Sequence, residues 1–127
     1  MIEIQISIGE LIDKLSILYI KKNKVTDSQK LAHINTEYNL LMNEATQFFL
    51  QKEVENLYLE LIEVNSDLWV VEDTIREFES NKKFDEEFIE LARKVYFTND
   101  RRFSIKNKIN ELTNSSIREI KNYKEYK

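Results

Sequence analysis

Between Val95 and Asn110 the apolar residues keep helical spacing, yet the middle of the stripe is Thr98, Asn99, Asp100, Arg101 and Arg102. Thr98 and Arg102 occupy positions in a run whose other members are Phe88, Leu91, Val95, Ile105, Ile109 and Leu112. An arginine in a packed seam is costly unless a carboxylate meets it, so it persists where it fixes register or binds something. Asp73 and Asp100 are the in-chain candidates to meet it. A second polar stripe precedes this one. Asn65, Trp69, Glu72 and Arg76 are spaced four, three and four apart, and Asn99, Arg102 and Lys106 repeat that rhythm. Brought side by side, the two stripes form one groove. The candidate ligand-binding or polar-core residues are therefore Asn65, Trp69, Glu72, Asp73, Arg76, Tyr96, Thr98, Asn99, Asp100, Arg102 and Lys106. The competing reading is a pair of solvated faces carrying i,i+4 ion pairs such as Glu72 with Arg76.

Two kinds of helical enzyme can be tested against these residues. Helical nucleotide pyrophosphatases hold magnesium through E-E-x-x-E followed by E-x-x-D, because an octahedral cation needs several oxygen ligands. Glu86-Glu87-Phe88-Ile89-Glu90 fits the first half, and no E-x-x-D follows. Helical chorismate mutases clamp a dicarboxylate with cations and work mostly by electrostatics. Arg76, Arg93, Arg101, Arg102 and Lys106 could imitate that, but the first helix offers only Lys14 and Lys21. With no cysteine and a single histidine, His33, thiolate chemistry and a histidine-rich metal cluster are excluded within one chain. There is no glycine-rich phosphate loop and no nucleophile–histidine arrangement. The catalytic residues stay unassigned, no metal or cofactor is expected, and the reading favours a binding role over an enzyme.

Composition sets the frame that must position the stripes. The chain has 127 residues, no proline, one glycine and 42% hydrophobic residues, so one domain (1–127) of long, uninterrupted helices with a sizeable core is expected. A net charge of −4 argues against nucleic-acid binding. No apolar run reaches the roughly 20 residues a membrane span needs, and the N-terminus lacks a signal-peptide pattern. A cytoplasmic protein is the simplest expectation.

Ile2, Ile4 and Ile6 alternate with polar residues, which predicts a short N-terminal strand. Ser7 and Glu10 match a capping box, with Gly9 read as part of that helix start, opening a helix with the stripe Ile8, Leu11, Ile12, Leu15, Leu18 and Tyr19. Thr26 or Asp27 caps a second helix, with Leu31, Ile34, Tyr38, Leu41, Ala45 and Phe48 on one face, and a bend falls near Phe49 to Glu53. Val54, Leu57, Leu61, Val64, Leu68, Val71, Ile75 and Phe78 then form a heptad seam. After a stop near Ser80 to Lys83, Asp85 caps a last helix from about Glu86 to Leu112. The expected fold is all-α: two short helices, then a long antiparallel hairpin in which Trp69 lies level with Tyr96, Asn65 with Asn99 and Asp100, and Glu72 near Arg93. Each long helix would measure on the order of 40 Å, against a radius of gyration of about 14 Å for a compact chain of this size. That mismatch predicts a homo-oligomer, a dimer foremost. The strand needs a partner, and Ser116 to Tyr123 is the segment expected to supply it.

Three blocks carry a family resemblance: Ile6 to Leu18, Glu63 to Arg76, and Phe88 to Arg102. Together they resemble an uncharacterised bacterial family of short, nearly all-helical proteins with the patterns V-S-[IV]-G-E-L-x-D-K-L, V-N-x-x-L-W-x-[IV]-E-D and L-A-R-x-V-Y-x-T-N-D-x-R. The family ends in a motif like E-E-K-S-Y, where this chain has Glu119-Ile120-Lys121-Asn122-Tyr123. The resemblance implies a genetic setting of lipopolysaccharide and glycosyl transfer, and no reaction. The resulting expectation is a small oligomeric accessory module with a protein partner or ligand in surface-polysaccharide assembly. The alternative is a small-molecule enzyme using the Arg/Asn/Glu groove.

Overall fold

The computed structural model describes residues 1–126. Four α-helices follow in order: α1 (Ile8–Lys24), α2 (Ser28–Ala45), α3 (Lys52–Ser80) and α4 (Glu86–Leu112), with a 3₁₀ helix at Thr46–Leu50 between α2 and α3. Their starts are chemically marked. The Ser7 hydroxyl accepts from Glu10 N–H, Asp27 from Lys30 N–H and Asp85 from Phe88 N–H, each satisfying a donor the first turn leaves free. The two long helices end alike. Lys82 and Asn114 take left-handed backbone angles (φ 53° and 58°), and the N–H groups of Lys83 and Ser115 return to Phe78 and Asn110 carbonyls at 2.9 Å.

The core lies where α1, α3 and α4 meet. Ile12 and Leu15 from α1, Val54, Leu61 and Val64 from α3, and Ile109 from α4 are fully buried. The heptad seam read for α3 supplies half of them. α2 packs on α1 and buries only Ala45; its remaining stripe is half-buried. α3 and α4 share the most extensive interface, and Gln51 at the start of α3 donates to the Leu112 carbonyl at the end of α4. Because α1 has 17 residues against 29 in α3, it covers only part of that pair. None of residues 86–104 of α4 is buried, and the buried residues of α3 stop at Val71. The stretches 72–80 of α3 and 86–93 of α4 hold no buried residue and are the thinly covered arm of the molecule.

The predicted N-terminal strand is not there. Among the described residues no segment is a strand, and Ile2 and Ile4 are 88% and 77% exposed. The expected pairing with Ser116 to Tyr123 is absent too. A strand exists only where its backbone groups find a ladder, and the tail's groups lie elsewhere. Its contact with the start of α1 is a single bond, Ile8 N–H to the Ser115 hydroxyl (3.2 Å), while residues beyond it run back along α4. Tyr19, placed on the core stripe of α1, is 40% exposed; Ile20 is buried in its stead.

Candidate functional site

Asp13 is the centre of a polar seat inside the bundle. It is 1% exposed, on the face of α1 that also carries Ile12, Ser16 and Ile20. Arg102 of α4 grips it with two hydrogen bonds, Nε to Oδ1 at 2.9 Å and an Nη2 bond to Oδ2. Asn65 of α3 donates Nδ2 to the same Oδ1 (3.0 Å) and to the Ser16 hydroxyl (2.8 Å), and that hydroxyl donates to the Asp13 carbonyl (2.6 Å). Three helices are thus tied at one carboxylate. The hydrogen bonds to Asp13 outweigh desolvation and hold the Arg102 guanidinium above its ordinary pKa. The carboxylate that meets Arg102 comes from α1, correcting the expectation of Asp73 or Asp100. Sequence spacing compares residues on one helix and carries no register between α1 and α4, so it could not pair Asp13 with Arg102.

One turn along α4 lies a second ion network. Lys106 is buried, with its ammonium 2.8 Å from Glu10 and 3.0 Å from Glu119, and Glu119 also meets Lys121 at 3.2 Å. Burial pulls the Lys106 ammonium down, and its bonds to the two glutamates outweigh that and hold it above its ordinary value. Desolvation raises Glu119, and bonds to Lys106 and Lys121 more than reverse it, leaving the carboxyl below its usual range. Glu10, expected to complete a capping box, is engaged with Lys106; a buried ammonium is the stronger partner. Gly9, read as a helix start, lets the helices approach. A Cβ there would stand 2.5 Å from the Lys106 carbonyl oxygen, and the Gly9 N–H donates to buried Asn110 Oδ1 at 2.7 Å.

Over the Asp13 seat opens a groove of about 490 Å³, lined by Ile17, Ile20 and Leu68 and by Asn65, Trp69, Glu72, Asp73, Arg76, Asn99 and Arg102. Seven of the sequence candidates therefore share one cleft. Trp69 is half-buried, with the Lys24 ammonium 5.7 Å from its ring centroid. Glu72 pairs with Arg76 (3.3 Å), and Arg93, expected near Glu72, pairs with Glu90 (2.9 Å). Lys106 lines a smaller adjoining cavity of about 70 Å³ with Asn99, Arg102, Phe103, Glu119 and Lys121. Three candidates stand apart. Thr98 is half-buried and outside the groove lining. Tyr96 is 42% exposed and stacks with Phe97 and Tyr126. Asp100 faces the tail, sharing a cavity of about 540 Å³ with Phe103, Ser104 and residues 121 and 123–126. Missed from the sequence were Glu10, Asp13, Ser16, Asn110 and Glu119. The one usable signal was Asp13 itself, one residue from Ile12 and so at the edge of the core stripe. Among the described residues, no group of three or more His, Cys, Asp or Glu side chains is placed to hold a metal ion, and no helix is long and apolar enough to cross a membrane.

Fold and site define a small all-helical protein whose helices are pinned by buried ion pairs beneath a polar, tryptophan-bearing groove. A family model described as a family of unknown function, DUF6165, matches residues 2–126, and the chain belongs to that family. No curated protein and no solved structure matches it.

Proposed function

We propose that the protein is a cytoplasmic, non-catalytic binding module whose groove holds a sugar, and that it serves surface-polysaccharide assembly in a bacterium, in company with a protein partner. The observation that carries the reading is the lining of the groove: one tryptophan ring beside two amides, two carboxylates and two guanidinium groups. An indole face suits the C–H face of a sugar ring, and the mixed donors and acceptors around it suit hydroxyl groups, which need both. The setting in polysaccharide assembly is supported by the sequence blocks alone. Against an electrostatic-clamp enzyme, Arg102, Arg76 and Arg93 are each neutralised by a carboxylate of the chain.

The module is a dimer in this reading, built on α3 and α4 as a long antiparallel hairpin, an arrangement that the Gln51–Leu112 bond supports. Its accessible surface of 9134 Å² exceeds the roughly 7,150 Å² of a compact monomer of this mass, which leaves area for a partner.

Trp69 is the only tryptophan, so its fluorescence reports on the groove directly. Titration with methyl glycosides and short oligosaccharides should give a saturable change that Asn99→Ala weakens. A flat signal across the panel, together with no saturation-transfer signal in NMR, would overturn the reading.

A further inference from the structure

The groove does not end at Arg102. Arg102 and Asn99 also border the small cavity beyond it, where Lys106 and Lys121 converge on one carboxylate, that of Glu119. This carboxylate does not belong to the bundle. It comes from the irregular segment after α4, which is held by the Glu119 contacts, by the Lys121 ammonium 5.5 Å from the Phe103 ring centroid, and by the Tyr126 ring 5.1 Å from that of Phe97 and 5.5 Å from that of Tyr96. The two ends of the cleft differ in charge. Glu72 and Asp73 stand toward one end with Arg76, while Arg102, Lys106 and Lys121 gather at the other.

We propose that Glu119 is a tethered stand-in for the acidic group of the ligand, so that the groove takes a sugar bearing a carboxylate or phosphate and turns the Glu119 carboxylate out of the cavity in doing so. The proposal rests on the sugar-binding reading of the groove. Its logic is an exchange of like for like. Asp13 balances Arg102 and Glu10 balances Lys106 in the bundle itself. Replacing Glu119 by a carboxylate therefore leaves the charge of the cavity unchanged and a phosphate makes it more negative, whereas a neutral ligand that displaced it would leave Lys121 without its partner. Arg102 spends two of its five N–H donors on Asp13, and the others are available to a carboxylate or phosphate oxygen.

The test titrates the full chain, by Trp69 fluorescence, with methyl glucoside, glucuronic acid and glucose 1-phosphate, in the native protein and in Glu119→Gln. One of the acidic probes should bind about ten-fold tighter than the glucoside, the advantage expected of one charge-assisted bond pair; which one does so separates the carboxylate from the phosphate source. Glu119→Gln should tighten that probe several-fold and leave the glucoside unchanged. Equal binding of all three probes, or a Glu119→Gln variant that binds the acidic probe no tighter than the native chain, overturns the proposal while the groove reading stands. Binding of none overturns both.

Discussion

Asp13 and Arg102 are unequal halves of their ion pair. The Asp13 side chain is 1% exposed and the Arg102 side chain 26%. Removing Arg102 strands a buried carboxylate with Asn65 as its remaining side-chain donor; removing Asp13 leaves a guanidinium that can turn into the groove. Arg102→Met should therefore destabilise by about 3–5 kcal/mol, the range for breaking a buried pair by deleting one partner, and Asp13→Ala by less. The double variant should be far more stable than the sum of the two losses, because neither leaves an orphan for the other to pay for. Urea denaturation of the three variants checks this, and it fails if Asp13→Ala is the costlier single change or if the losses add. Tyr58 shows the opposite case. Among the described residues its buried hydroxyl makes no well-aligned hydrogen bond, and burial, with the neighbouring Tyr38 hydroxyl, raises its pKa.

Helix by helix, the readable and unreadable parts of the sequence separate cleanly. The limits of α4 and the cap at Asp85 could be read because a polar run, a capping aspartate and an unbroken apolar period all act within a few residues of one another. The alternation of Ile2, Ile4 and Ile6 misled, since a strand is a property of two segments and only one was visible. The Asn65/Trp69/Glu72/Arg76 stripe did converge with Asn99 and Arg102, because both ride beside apolar seams that pack together. Gly9 was legible as a helix start and illegible as a contact. Its backbone angles are ordinary, so the reason for glycine is space. Alanine would gain roughly 0.5–1 kcal/mol in helix propensity, but its methyl meets the Lys106 carbonyl, which cannot yield without shifting α4. Overpacking of this kind costs about 1–3 kcal/mol, so the clash should win and Gly9→Ala should lower the thermal midpoint. A midpoint that rises would show that α1 and α4 separate freely, and the close approach would lose its meaning.

For the molecule as a whole, surface is the quantity that decides. The excess over a compact monomer is about 2,000 Å² per chain, more than the roughly 800 Å² that each partner contributes to a specific protein interface. Part of it belongs to the N-terminal residues and the tail, and part to the thinly covered arm of α3 and α4. Leu59 and Val70 are 55% and 58% exposed, and eleven residues apart they lie on one line of α3. Across the molecule α4 carries Ile89, Tyr96 and Phe103 at seven-residue spacing, the last two overlaid by the tail through Tyr126 and Lys121. The tail thus covers part of the α4 line, at Tyr96 and Phe103, and leaves the α3 line open, so the proposed dimer is expected to form on α3. Light scattering at about 100 µM, a concentration at which a micromolar dimer is nearly fully formed, should give a mass twice the 15.3 kDa of one chain. Val70→Lys places a charge on that line without touching the core, so it should shift the particle to one chain while leaving the helical circular dichroism unchanged. A native protein that runs at 15.3 kDa under those conditions would mean that the arm stays open to solvent, and the dimer would have to be abandoned.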